Sequence, residues 1–158
     1  MTTDTDRPAI LFVCLGNICR SPMADGAMQA EADRLGLDLH IDSAGTGSWH
    51  IGNPPDPRAI AAAARTGVDI SNLRARQVAV EDHYRFTHIL ALDAQNLADI
   101  RAAAPSDGTA RVSLLMDLVQ GREGQAVADP YYGGDEGFDE TWADVSAAAR
   151  ALAQQLTA

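Results

Sequence analysis

The sequence contains no lysine: all 12 of its basic residues are arginine, set against 22 aspartates and glutamates, for a formal net charge of −10 over 158 residues. A nucleotide-binding loop of the Gly-Lys-Ser/Thr type is thereby excluded, and the acidic balance argues against a nucleic-acid binder, which carries a basic face. The same charge makes the chain a poor long-range attractor of anions, so any capture of phosphate has to be local. Cysteine is almost absent as well. There are two, Cys14 and Cys19, and no second Cys or His pair follows to complete a four-ligand zinc site. Free thiols without a disulfide framework suit a reducing, cytoplasmic compartment. No apolar run is long enough to span a bilayer, and Met1–Asp6 is short and polar, without the charged-then-apolar order of a signal peptide. Residues 1–7 are expected to form a flexible tail. Aromatic residues make up only 5% of the chain, so the core has to be mostly aliphatic. The length fits a single domain spanning residues 1–158, large enough to bury a proper core.

What is present alternates between strand and helix signals. Ala9–Cys14 is a continuous apolar run, the pattern of a strand buried on both faces of a parallel sheet. Ser21-Pro22 then reads as a helix start, with Ser21 as N-cap and Pro22 in the first turn, and Gly36 as its stop. His40–Ser43 reads as a second strand and Ala44–Pro55, rich in Gly, Ser and Pro, as a loop. Asp56-Pro57 opens a helix that runs through four alanines and ends near Gly67. Thr87–Leu92 and Arg111–Leu114 supply two more strands, with a helix over Ala94–Ala103 between them. From Phe138 onward, Phe138, Trp142, Val145, Ala149, Leu152 and Leu156 recur at steps of four and three, the signature of an amphipathic helix packed on a sheet. The alternation predicts an α/β fold: a doubly wound, parallel, four-stranded sheet flanked by helices, with its ligand beyond the carboxyl ends of the strands.

The residues with chemistry fall at such strand ends. Cys14-Leu15-Gly16-Asn17-Ile18-Cys19-Arg20-Ser21 sets a cysteine six positions before an arginine on a short strand-to-helix loop. The amides of such a loop and the positive end of the following helix favour a tetrahedral oxyanion. Arg20 adds a two-pronged guanidinium clamp, and Cys14 is placed to act as a nucleophilic thiolate. Displacing a phosphoryl group from an ester also needs an acid for the leaving oxygen. Asp129, in Asp129-Pro130-Tyr131-Tyr132-Gly133-Gly134-Asp135, is the best candidate: Pro130 stiffens the backbone behind it and the glycines let the segment fold over. Plainer readings exist for single residues. Cys14 by itself could be a small core hydrophobe, and Asp93 an ordinary helix N-terminal residue. His40, His50, His83 and His88 show no ligand spacing and read as structural or solvated.

Taken together, four ordered segments resemble the low-molecular-weight protein tyrosine phosphatases. They are Val13–Pro22, Ser43-Ala44-Gly45-Thr46-Gly47 with Trp49, Leu92-Asp93 with Asn96-Leu97, and Asp129–Asp135. The resemblance implies hydrolysis of phosphotyrosine in proteins, releasing inorganic phosphate, with no metal or other cofactor, by a monomer or weak dimer. It implies Cys14 as the nucleophile that forms a phosphocysteine, Arg20 as phosphate clamp and Asp129 as general acid and then general base. Ser21 would donate a hydrogen bond to the Cys14 sulfur. Leu15, Gly16, Asn17, Ile18 and Cys19 would line the substrate, with Trp49, Tyr131 and Tyr132 as walls of an aryl slot. Asn17 would hold the loop's shape, helped by Ser43; Asp93 would support the site. Cys19 would be a redox partner of Cys14. One departure stands out: many relatives carry a His where this chain has Leu73.

The same residues bear on other functions. Arsenate reductases share the loop but relay a disulfide through further cysteines downstream, and none follows Cys19. Protein-arginine phosphatases typically carry Thr where this chain has Ile18. A non-catalytic phosphate-binding module would have lost Cys14, Arg20 or Asp129, and all three are present.

Overall fold

A computed structural model describes residues 7–157. Of the tail expected at residues 1–7, all but Arg7 lies outside the described residues. Arg7 itself is tied down: its guanidinium donates to the Leu39 carbonyl at 3.0 Å and lies 3.0 Å from the Asp38 carboxylate.

The elements follow in the order β1 (Ala9–Cys14), α1 (Arg20–Leu35), β2 (His40–Gly45), α2 (Pro57–Ala64), α3 (Asp82–Arg85), β3 (His88–Ala91), α4 (Ala94–Ala103), β4 (Arg111–Leu114) and α5 (Asp135–Thr157), with a 3-10 turn over Leu115–Leu118. The four strands form one parallel sheet in the order β2-β1-β3-β4. Strand order reverses at β1: the chain crosses from β1 outward to β2, then returns over the sheet to β3 on the other side. A crevice therefore opens beyond the carboxyl ends of β1 and β3.

β1 is buried along its whole length, and its alternation divides the core in two. Ile10, Phe12 and Cys14 face α1, α2 and α5 in a cluster with Met23, Met28, Leu90, Phe138, Val145 and Leu152. Leu11 and Val13 face the opposite side, packing with Ile89, Ile100 and Leu114. The α5 periodicity is realised by buried Phe138, Val145, Ala149 and Leu152, although the helix begins at Asp135, three residues ahead of the apolar pattern.

Three differences from the sequence reading have physical causes. β2 runs to Gly45 rather than Ser43, because the β1 ladder continues to the Cys14–Gly45 pair, where the loop begins. α2 stops at Ala64, three residues ahead of Gly67, which adopts a left-handed φ of 86°. α3 is new; a four-residue helix leaves no hydrophobic period. It is fixed instead by the buried Asp82 carboxylate, which accepts from both terminal nitrogens of Arg76 and from the Ala79 amide.

α1 and β2 enclose a buried acid that the sequence reading had passed over. Asp25 is 2% exposed. Burial, followed by the nearby Asp42 charge, pushes its carboxyl up to about 7, against a hydrogen bond with Ser43 that pulls the other way. A folded-state value above the unfolded one means that the folded chain holds a proton the unfolded chain has released. The stability linked to this proton is fully present below about pH 4 and is lost as pH rises through about 7, with a slope of up to about 1.4 kcal/mol per pH unit. Asp25→Asn removes that slope. In urea denaturation at pH 5 and pH 8, the variant should gain on wild type at the higher pH; an unchanged difference between the two pH values would show that Asp25 does not hold this proton.

Candidate active site

The loop between β1 and α1 gets its shape from one residue. Asn17 is buried and has φ 58°, the one non-glycine in the left-handed region among the described residues. Asparagine tolerates that conformation better than other side chains. Its amide locks the turn: Nδ2 donates to Ser21 Oγ at 2.7 Å, and Oδ1 accepts from the Arg76 amide at 3.0 Å. The loop carbonyls are drawn away by their neighbours. Cys14 O accepts from Thr46 N at 2.9 Å, Leu15 O from Gly47 N at 2.9 Å, Ile18 O from Asp56 N at 2.7 Å and Cys19 O from Met23 N at 3.2 Å. Among the described residues, no acceptor is taken by the backbone amides of residues 15–20. The loop thus keeps a set of N–H donors free for an anion. This arrangement requires Gly45, since a Cβ there would fall 2.7 Å from Leu15 O and 3.3 Å from Asn17 N.

Ser21 corrects the sequence reading. The N-cap of α1 is Cys19, which makes no side-chain cap, and Ser21 lies inside the helix. Its hydroxyl is used elsewhere, 3.0 Å from Cys14 Sγ. Because Asn17 already donates to Ser21 Oγ, the hydroxyl hydrogen is available to the sulfur. Cys14 is 3% exposed, on the floor of a cleft of about 300 Å³.

Arg20 is held along one edge. Its Nη1 donates to Asp93 Oδ2 at 2.8 Å and to the Val127 carbonyl at 2.9 Å, leaving the Nε–Nη2 edge for a ligand. Asp93 also caps α4, accepting from Asn96 N at 2.7 Å, so one carboxylate both starts the helix and pairs with Arg20. Val127 hooks the next segment to the sheet, its amide donating to Leu92 O at 2.8 Å. Two residues on, exposed Asp129 places Oδ2 3.9 Å from Arg20 Nη2, while its Oδ1 accepts from Tyr131 N at 3.1 Å.

The cleft brings together Cys14, Leu15, Gly16, Ile18, Cys19, Arg20, Trp49, Asp129, Tyr131 and Tyr132. Trp49 is 70% exposed and Tyr132 93%, a cost in apolar area that a flat aromatic ligand would relieve. Cys19 is buried beside the cleft; burial first, then the charges of Asp56, Cys14 and Asp129, raises its thiol, so it stays protonated where a nucleophile would ionise. Ser43 does not join the cleft: among the described residues no hydrogen bond links it to Asn17. Leu73, at the position where the resemblance implies a His, packs against the core.

Two residues escaped the sequence reading. His50, read as structural or solvated, lines the cleft with its Cδ2 only 3.0 Å from where a Cβ on Gly16 would lie. Its place next to Trp49 was the available signal. Arg58 grips the segment carrying Asp129, and nothing in its local sequence marks that long-range contact.

Comparison with known proteins agrees with this geometry. The family model for low molecular weight phosphotyrosine protein phosphatase matches residues 9–158. A Schizosaccharomyces pombe protein of that description is 41% identical over 136 residues, covering 84% of this chain and 86% of its own. The Bacillus subtilis low molecular weight protein-tyrosine-phosphatase YfkJ is 42% identical over 134 residues, covering 84% and 85%. The YfkJ crystal structure superposes with a TM-score of 0.88, covering 96% of this chain and 95% of that one. A drosophila arginine phosphatase structure, 29% identical, superposes at 0.88, covering 94% and 98%.

The free amides of the loop depend on Gly45. Gly45→Ala should leave the circular dichroism spectrum intact while weakening the binding of inorganic phosphate about tenfold or more in calorimetric titration, because the new methyl displaces the Leu15 carbonyl. Wild-type phosphate affinity in this variant would refute the dependence.

Proposed function

The chain belongs to the low molecular weight phosphotyrosine protein phosphatase family, and from that membership we propose that it hydrolyses phosphotyrosine in proteins by way of a phosphocysteine on Cys14. The observation that carries the proposal is one cleft floor: the Cys14 sulfur 3.0 Å from Ser21 Oγ, an Arg20 guanidinium with one edge free, and Asp129 3.9 Å from that guanidinium.

The Cys14 thiolate attacks phosphorus in line with the tyrosyl oxygen. As the S–P bond forms and the P–O bond breaks, the leaving oxygen takes the proton of Asp129. The loop amides and the free edge of Arg20 hold the equatorial oxygens, where charge is spread. Water then attacks the phosphocysteine; Asp129 takes the water's proton, the S–P bond breaks, and inorganic phosphate leaves with Cys14 again a thiolate. The Ser21 hydroxyl stabilises sulfur both as attacker and as leaving group. Trp49, Tyr131, Tyr132, Leu15 and Ile18 flank the aryl ring, with Gly16 and Asn17 shaping the loop beneath it.

Among the described residues no helix is long and apolar enough to cross a membrane. The two free cysteines support placing the protein in the cytoplasm, acting as a monomer or weak dimer. A second substrate reading is favoured by the likeness to the drosophila arginine phosphatase. Ile18 in the loop and the paired tyrosines at the rim support the aryl substrate instead.

Cys14→Ser should abolish hydrolysis of phosphotyrosine peptides, and residual wild-type turnover would end the proposal. Asp129→Asn should lower kcat/KM for phosphotyrosine by about 10²–10⁴ and for activated aryl esters by much less. With wild-type enzyme, phosphotyrosine peptides should be cleaved faster than phosphoarginine or phosphoserine peptides; the reverse order would shift the substrate to the competing class.

A further inference from the structure

We propose that Arg58 is a positioning residue that holds Asp129 over the cleft, a role resting on the reading of Asp129 as the general acid. Its guanidinium makes contacts in three directions. Nη2 donates to the Tyr131 carbonyl at 3.0 Å and Nη1 to the Gly133 carbonyl at 3.3 Å. Nε and Nη2 each donate to the Asp56 carboxylate at 3.1 Å. The guanidinium carbon also lies 4.5 Å from the centroid of the buried Phe138 ring and 5.6 Å from that of Tyr131.

Each partner leads to a different part of the site. Asp56 caps α2 and donates its own amide to Ile18 O at 2.7 Å, so the Asp56–Arg58 pair is anchored on the anion loop. Tyr131, whose carbonyl Arg58 grips, is the residue whose amide donates to Asp129 Oδ1. A relay therefore runs from the loop through Asp56 and Arg58 to Tyr131 and the Asp129 carboxylate, and leaves Oδ2 as the oxygen facing Arg20.

The segment has little else to hold it. Between Asp129 and the start of α5 at Asp135, the Arg58 bonds are the only hydrogen bonds to a distant part of the chain among the described residues; the others, such as Gly133 N to Pro130 O, are local. Gly133 and Gly134 add freedom. A general acid must come within about 2.6–3.2 Å of the leaving oxygen, and a swinging segment would lose that geometry. Only a planar fork meets two carbonyls and a carboxylate at once, so lysine is a poor substitute.

The test is the dependence of kcat/KM on leaving-group pKa across a series of aryl phosphates, from nitrophenyl to tyrosyl, for wild type, Arg58→Ala, Arg58→Lys, Asp129→Asn and the Arg58→Ala/Asp129→Asn double variant. Arg58→Ala should lose about tenfold on the poorest leaving groups and much less on the best, Arg58→Lys should fall between, and the double variant should match Asp129→Asn alone. An equal loss across the whole series, a lower melting temperature with an unchanged series, or a double variant showing the product of the two single losses would overturn the positioning role. Should Arg58→Ala fail to fold, the slope of the folded Arg58→Lys variant decides: steeper than wild type supports the role and parallel to it refutes it. If Asp129→Asn itself lowers all esters alike, the general-acid reading fails and the positioning role falls with it. A selective Asp129→Asn beside a non-selective Arg58→Ala removes the positioning role alone.

Discussion

The carbonyls of the loop after β1 are held outward, and every other feature of the site presupposes it. Were Cys14 O, Leu15 O and Ile18 O turned inward, they would present partial negative charge where an anion must sit. Thr46, Gly47 and Asp56 donate to them instead, from the end of β2 and the start of α2. A loop of a few residues has no internal ladder to impose this orientation. It is borrowed from two neighbouring segments, and Asn17 closes the remaining turn at a left-handed φ.

The parallel sheet makes that borrowing possible. β1 lies between β2 and β3, so its carboxyl end is bounded on one side by the Gly45 turn and on the other by Leu92-Asp93. From the first side come the amides that fix the loop; from the second comes the carboxylate that fixes Arg20. An arginine with one edge paired in a buried place is both oriented and electrostatically balanced before any ligand arrives, and little rotamer entropy remains to be lost on binding.

The proposed general acid is built to a different standard. Cys14, Ser21 and Arg20 lie on rigid, buried elements, whereas Asp129 is exposed on a glycine-rich segment. A group that gives a proton to a leaving oxygen and then takes one from water has to stay accessible while its direction is controlled. Pro130, the Tyr131 amide and the Arg58 fork supply direction without burial.

Much of this was legible in the residues alone. The strands, the long terminal helix, the cysteine-to-arginine spacing and Asp129 rest on periodicity and on residues close together in sequence, whose local geometry the chain imposes by itself. The misses share one cause: a side chain's partner across the fold cannot be read from its neighbours. Ser21 looked like a cap because Ser before Pro caps helices in general, yet its hydroxyl lies against Cys14, a contact that the resemblance implied and the local residues did not. Ser43 was assigned to the loop, but it lies buried in β2 outside the cleft. His50 had only its place beside Trp49 to mark it, and Arg58 had nothing, until folding carried them to the cleft and to the Asp129 segment. By itself, then, the sequence determined the candidate reacting groups and the alternating framework, because both follow from local spacing. Which of their atoms are free to react, and what holds them, was decided only by tertiary structure, where hydrogen bonds between residues far apart in the chain assign each donor and acceptor its partner.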